Sequence, residues 1–497
     1  MVAIIDYDAG NINSVKKAFT EGFLSKDVYD STMRCLKSEN PNDIIFSGMI
    51  VRQDLCKYLQ KNLNDEQKRI MNSILDYILS PHDSDCSGVL LNGSAGTGKT
   101  TTMSKIIYAV SILCPKEDVC VNAPTHKAIK VLEKKCENVG KNIYFGTTHH
   151  MLGLAVSYTF DGKLKFKKVS NEQEYSLMIV DEVSMIEEEL CNIILNSKAY
   201  AKTKLVFMGD VKQLPPVNTK EAYLFAKAND LKIQQMNLTQ IVRQVSGNPI
   251  VKMAKMVADN INEKMLIRVN QDVVNGDGVI TRGKDKLQNI IQYWFSQPDA
   301  ASNPDFVKIL AWTNRTVNEC NVMARNILLG NPTNPFISGD RIIANEQIMI
   351  DGKVVADNSD EFNVVNCKIV KKKKAVPFIN KIITIEFYKI KTNELSEDLY
   401  VITKNSKDLY EKYLEDVKQY CIRQHNQKDW IYYYSMKNWT ANINYSYATT
   451  VHKSQGSTYE NVIVIMDDID KNRNIYELNK LCYTAYTRAR KKLILIA

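Results

Sequence analysis

The sequence has no uninterrupted apolar run near the roughly 18 residues that a membrane-spanning helix requires. It shows no basic, then apolar, then small-residue succession of a secretory signal. Cysteine is present but unorganised. There are eleven, none closer than Cys114 and Cys120, with no Cys-x-x-Cys pair and six histidines that do not gather around them. That spacing argues against a zinc module and against a disulfide framework. Reduced thiols in a soluble, cytosol-like setting, with no membrane partner, are the expectation. Neither charge sign is scarce: 65 basic residues face 56 acidic ones, for a net charge of +9. Such a balance suits a polyanionic partner without requiring one. The 497 residues are long enough for about three domains, each with its own core.

Against these absences one motif is complete. Gly93-Ser94-Ala95-Gly96-Thr97-Gly98-Lys99-Thr100 follows the apolar run Val89-Leu90-Leu91 and opens the helix-compatible stretch Thr100–Val110, with Thr101 in its first turn. A phosphate loop needs that strand–loop–helix setting. Its glycines let backbone N–H groups close on phosphate at a helix start that already favours anions. Lys99 would reach the β- and γ-phosphates of ATP, and the Thr100 hydroxyl would hold Mg²⁺.

A second half of an ATPase follows. Ser176-Leu177-Met178-Ile179-Val180-Asp181-Glu182 reads as an apolar strand ending in two carboxylates. At the carboxyl end of a doubly wound sheet, Asp181 would sit beside Mg²⁺ and Glu182 would polarise the attacking water. A further apolar strand, Lys204–Asp210, leads to Gln213 and the stiffening pair Pro215-Pro216. An amide placed there can bond both γ-phosphate and water. Arg243, Arg488 and Arg490 supply cations of the kind phosphoryl transfer needs. For any one of them a surface ion pair is the alternative role.

Taken in order, these residues resemble the superfamily-one helicases, most closely the branch of Dda and RecD, over about residues 63–497. Leu63-Asn64-Asp65-Glu66-Gln67 looks like the adenine-reading motif, with Gln67 as reader. Pro124, Thr125 and His126, then Thr148 and His149, look like the first two motifs that contact a nucleic-acid strand. Thr313 and Asn314 fall at the entry of a second motor domain. Thr450, His452, Lys453 and Gly456 match a motif touching both strand and γ-phosphate. The resemblance implies an α/β fold: two RecA-like parallel-sheet motor domains, a β-hairpin insertion in the first and a small β-barrel insertion in the second. ATP would lie between the motors, with Arg243 and Arg488 both supplied by the second. Single-stranded DNA and forked DNA would be the substrates, single-strand-binding or replication proteins further partners, and replication, recombination or repair the setting.

The expected domains are an extension at 1–60, motor one at 61–225, motor two at 226–336 and 441–497, and the inserted barrel at 337–440. Within 152–174, Val156, Tyr158 and Phe160 precede Asp161-Gly162, then Leu164 and Phe166 follow. An Asp-Gly turn between alternating runs signals a hairpin. Its Phe166 or Phe160 would either stack on the base pair at a fork or pack against a partner surface. Short insertions accompany 5′→3′ movement in the resembled family. In the second insertion Lys371–Lys374 would track phosphates or decorate a hairpin tip. Trp430, Tyr432, Tyr433, Tyr434 and Trp439 would stack on bases or form a core. Residues 3–19 look like the opening of a glutamine amidotransferase subunit, but no nucleophile elbow follows, so that activity is rejected. An RNA helicase, and an ATPase that remodels protein–DNA complexes without unwinding, remain alternatives.

Overall fold

The computed structural model describes Lys26, Gln53 and residues 55–497, less 82–84, 137–138, 160–163, 169–173, 197–201, 217–218, 243–247, 264–270, 275 and 351–352. The described residues fall into two compact units, one within Met1–Leu152 and Asn171–Gly247, the other within Gly153–Ser170 and Asn248–Ala497.

In the first unit, short runs of Val, Ile, Leu and Met without alternation become the four central strands of a parallel sheet, buried on both faces, and two mixed runs become its partly exposed edges. They are β1 (Gly88–Gly93), β2 (Val119–Ala123), β3 (Ile143–Thr147), β6 (Leu177–Val180), β7 (Lys204–Gly209) and β8 (Ile233–Leu238). Their order is β3-β2-β6-β7-β1-β8, and every pairing is parallel. Between β3 and β6 the chain makes the expected hairpin, β4 (Leu154–Tyr158) against β5 (Leu164–Lys168), with Val156 opposite Phe166. The Asp161-Gly162 turn and Phe160 lie outside the described residues. By chain order the hairpin interrupts the first unit; by compactness it groups with the second.

Two expected boundaries move. Leu55, Cys56, Leu59 and Leu63 are buried in the same core as Ile70, Met71, Val89 and Met103, so residues 55–60 belong to the first unit and not to an extension. The boundary at 225/226 shifts past β8, because Gly88–Gly93 pairs with Ile233–Leu238 along its whole length.

The second unit holds a six-stranded sheet of β9 (Asp272–Val274), β10 (Asp277–Arg282), β11 (Val307–Ala311), β19 (Ala448–Thr450), β20 (Tyr459–Ile465) and β21 (Ala489–Ile496). Its order is β19-β11-β20-β21-β10-β9, parallel except at β9. Inserted between β11 and β19 are β12 (Arg341–Ala344), the pair β13 (Ile348–Ile350) and β14 (Lys353–Ala356), then β15 (Glu361–Val376), β16 (Lys381–Thr392), β17 (Leu399–Ile402) and β18 (Ile443–Tyr445). Among the described residues β17-β16-β15-β12-β18 form one antiparallel sheet and β13-β14 a separate pair, and Ile342, Ile348, Ala356, Phe362, Ile390 and Leu399 from both pack into one core. The long β15–β16 ribbon extends beyond it. Its inner face, with Val376, Ile383, Ile385 and Phe387, is covered by the helices Lys404–Gln424 and Trp430–Lys437. The insertion also runs past 440, since β18 pairs with β12.

Candidate nucleotide and nucleic-acid site

Three neighbouring strands, β6, β7 and β1, end at one edge of the first sheet and deliver the expected residues there. Gly96 and Gly98 take the left-handed backbone (φ 85° and 84°), which a side chain would oppose. A Cβ on Gly98 would also fall 2.3 Å from Gln67 Nε2. Thr97 closes the loop on itself, its hydroxyl donating to Ser94 O at 2.8 Å. Lys99 donates from Nζ to Gly93 O and, at 3.4 Å, to Ser94 O. Thr100 follows in the helix Lys99–Leu113. The exposed Thr101 accepts at 3.3 Å from Lys135 Nζ.

Asp181 leaves β6 buried, its Oδ1 accepting from the Glu182 N–H at 2.7 Å. Burial first, and then the charge of Glu182, raise its carboxyl far above the usual range; Lys99 and Lys135 pull it back. Glu182 itself sits at φ 50°, a strained conformation for a non-glycine residue and one that clusters at working sites. Gln213, buried beyond β7, donates its N–H to Asp210 O. Its Oε1 and Glu182 Oε2 are buried acceptors with no hydrogen-bond partner among the described residues. A buried acceptor without a donor costs about 1–3 kcal/mol, so both atoms fit a hydrated phosphate. A single buried carboxylate at this strand end also fits Mg²⁺, which keeps waters and phosphate oxygens as its other ligands.

Gln67 is engaged with the loop. Its Nε2 donates to Thr97 O at 2.9 Å and its Oε1 accepts from the Asn64 N–H at 3.1 Å, completing a capping box with Asn64. Only one amide hydrogen is left over for a base. Arg243 lies outside the described residues. The described residue before it, Val242, donates its N–H to Gly96 O at 2.9 Å. Arg488 is buried in the second unit and donates to Thr484 O, Ser457 O and Thr487 Oγ1. It braces the turn of Gly456 (φ 72°) from within.

The expected strand contacts gather at the same edge of each sheet. Pro124, Thr125 and His126 follow β2, and Thr148 and His149 follow the adjacent β3. Thr313 and Asn314 follow β11, and Thr450, His452 and Lys453 follow the adjacent β19. Thr148 is fully buried, and its hydroxyl donates to Asn122 Oδ1 at 2.9 Å, a bond that shapes the edge. Thr125 and Thr313 cap helices, accepting from the Ala128 and Thr316 N–H groups. Thr313 Oγ1 is further held by the buried Asp468, which also accepts from the Trp312 and Thr313 N–H groups. Lys453 Nζ donates to Asn345 Oδ1 at 2.8 Å, and burial lowers its pKa. Phe166 is in β5 by backbone register.

Sequence reading missed Glu66, Asn122 and Asp468. The signal was there for Asn122, a lone amide inside the apolar run Val119–Ala123, and for Asp468, which stands three residues past β20. Glu66 carried none beyond its place in a first helical turn.

The geometry defines a class: a P-loop nucleoside-triphosphate motor with two parallel sheets. Family comparison narrows it. Residues 62–276 match the AAA domain family and residues 445–496 the UvrD-like helicase C-terminal domain. The chain is 26% identical to the ATP-dependent DNA helicase Dda of Enterobacteria phage T4, over 86% of this chain and 98% of that one. It is also 26% identical to the uncharacterized protein R530 of Acanthamoeba polyphaga mimivirus, over 86% of this chain and 99% of that one. A crystal structure of Pif1 helicase from Bacteroides in complex with ADP-AlF3 and ssDNA aligns at TM-score 0.44 and 16% identity, over 88% of this chain and 92% of that one. These matches make the chain similar to the superfamily-one helicases of the Dda and RecD kind.

Proposed function

We propose that the chain is an ATP-dependent DNA helicase that hydrolyses ATP to move along single-stranded DNA, 5′→3′, and open forked duplexes. One observation carries the reading. At the edge where β6, β7 and β1 end, a glycine-rich loop stands with a buried carboxylate, a strained glutamate and a glutamine whose side-chain acceptor has no partner among the described residues.

In this reading the loop N–H groups of residues 94–100 and Lys99 hold the β- and γ-phosphates. Glu182 orients water for attack on the γ-phosphorus; the P–O bond to ADP breaks and inorganic phosphate leaves. Thr100 and Asp181 would hold Mg²⁺, which would supply positive charge for the phosphate oxygens. Gln213 bonds γ-phosphate or its water and so reports hydrolysis to the turn at Pro215-Pro216. Arg243 and Arg488 supply the remaining positive charge, a contribution commonly worth about 10³–10⁵ in rate. Pro124, His126, His149, Asn314, His452 and Lys453 line the strand path. T4 Dda is an ATP-dependent DNA helicase, and that relative supports DNA over RNA.

The test is ATP hydrolysis measured without nucleic acid, with single-stranded DNA, and with single-stranded RNA of matched sequence. Strong stimulation by DNA alone is expected. Equal or greater stimulation by RNA would replace the DNA reading with an RNA motor. No stimulation by either would leave an ATPase that remodels another target.

A further inference from the structure

Glu66 stands beside Gln67 in the first turn of the helix Asp65–Leu79, yet its carboxylate faces away from that helix. Oε2 accepts from the Thr239 N–H and the Gln240 N–H, both at 2.9 Å, and Oε1 accepts from the Thr239 hydroxyl at 2.7 Å. Burial works to raise this carboxyl, and the bonds from Gln240 and Thr239 outweigh it, so it is held below its usual range. The chain it grips continues directly to Val242, whose N–H donates to Gly96 O at 2.9 Å. On the other side Gln67 Nε2 donates to Thr97 O at 2.9 Å.

These contacts close a ring: Glu66, Thr239-Gln240, Val242, Gly96, Thr97, Gln67. Two successive carbonyls of the phosphate loop are thereby tied outward, toward Val242 and Gln67. A peptide unit whose C=O is pinned on one side turns its N–H to the other: the Thr97 N–H, opposite the Gly96 carbonyl, closes the loop on Ser94 O at 3.3 Å, and the Gly98 N–H, opposite the Thr97 carbonyl, is turned into the loop. Loop glycines make that arrangement accessible but cannot select it, because glycine adopts many conformations at little cost. The selection has to come from outside the loop.

We infer that Glu66 is a positioning residue that sets the phosphate loop for nucleotide, by anchoring the Thr239–Val242 segment that holds Gly96. The inference rests on the nucleotide-binding reading of that loop. Glu66 touches neither nucleotide nor reacting atoms. Its carboxylate is needed for shape and hydrogen bonding rather than for charge. A glutamine in its place can accept both N–H groups through Oε1 and donate from Nε2 to the Thr239 hydroxyl oxygen.

The experiment measures ADP·Mg²⁺ affinity by calorimetry, without nucleic acid, together with KM and kcat for ATP on saturating single-stranded DNA. The full-length chain is compared with Glu66→Ala, Glu66→Gln, Thr239→Val and the Ala/Val double variant, with Lys99→Ala as the site control. Glu66→Ala is expected to weaken ADP and raise KM by about tenfold, the scale of hydrogen bonds to a charged acceptor, with kcat changed far less. Glu66→Gln should restore affinity to within about twofold, and Thr239→Val should add little once Glu66 is gone. Unchanged affinity in Glu66→Ala with normal binding by the wild type overturns the inference alone. Loss in both Ala and Gln variants overturns it too, since charge would then be the active property. Absence of ADP binding by the wild type, or unchanged binding in Lys99→Ala, would instead overturn the site reading. Should Glu66→Ala not fold, the Glu66→Gln and Thr239→Val pair still decides. Thr239→Val alone must then weaken ADP measurably while Glu66→Gln does not.

Discussion

At the scale of single residues, the sites divide into groups aimed outward and groups that aim them. Glu182 and Gln213 each keep a buried acceptor without a partner among the described residues, whereas Thr148 and Thr313 spend their side chains on internal bonds. The first kind suits ligand; the second kind keeps the loops in shape. His452 illustrates the consequence for pH. Burial lowers its pKa below the ordinary 6.5, and the opposing effect of Glu477 is the smaller one. Above about pH 6.5 the ring is neutral folded and unfolded, so it adds nothing to the pH dependence. As pH falls below that value the unfolded chain takes the proton more readily, and stability is progressively lost. Thermal unfolding followed between about pH 7.5 and 5.5 should show a steeper loss for the wild type than for His452→Gln. Parallel curves would assign the loss to other groups.

At the scale of elements, the inserted sheet shows why charge runs and aromatic clusters mislead when read as strings. Lys371–Lys374 lie along β15, ahead of the turn at 377–380, and alternate across it. Lys372 lies over the Tyr400 ring at 3.4 Å and Lys374 over Trp439 at 5.4 Å, while Lys371 pairs with Glu386 at 3.8 Å. Trp430 is buried under the helices, edge-on to Tyr433 at 5.4 Å, as core. Two ion pairs tie this insertion to its motor: the buried Arg325, on the helix Asn314–Leu329, with buried Asp340 at 2.6 Å, and the buried Lys308 of β11 with the partly buried Glu361 at 3.1 Å. Removing one partner of such a pair costs about 3–5 kcal/mol, because the other charge stays buried. The hairpin β4–β5 is the element to test for strand separation. Phe166→Ala should slow unwinding of a forked duplex severalfold while DNA-stimulated ATPase stays within about twofold, since stacking is worth about 1–3 kcal/mol per base. Equal loss in both activities would remove the strand-separating role.

At the scale of the whole molecule, the two six-stranded sheets carry the same arrangement. Adjacent parallel strands, β2 with β3 and β11 with β19, deliver two expected strand-contact motifs to the carboxyl edge. Repetition of one edge in tandem is what a motor that alternates its grip requires. Direction of movement is a property of the assembled molecule and has a direct test. A duplex with a 5′ single-stranded tail should unwind faster than one with a 3′ tail. The reverse preference would overturn the proposed polarity.

Local sequence by itself determined the phosphate loop, the Asp181-Glu182 strand end, the reach to Gln213 and the existence of the hairpin. Each is a short run whose chemistry and backbone demand are written within about ten residues. Tertiary structure alone decided the rest. That β8 completes the first sheet follows from parallel pairing with β1 across some 140 residues of chain, which no local pattern encodes. Whether a threonine faces a strand or a buried asparagine depends on its neighbour in the sheet, as Thr148 and Asn122 show. The ring through Glu66 likewise joins residues 66, 97 and 240, brought together only when the sheet forms. Hydrogen-bond partners distant in sequence are chosen by packing, and packing is not legible until the chain has folded.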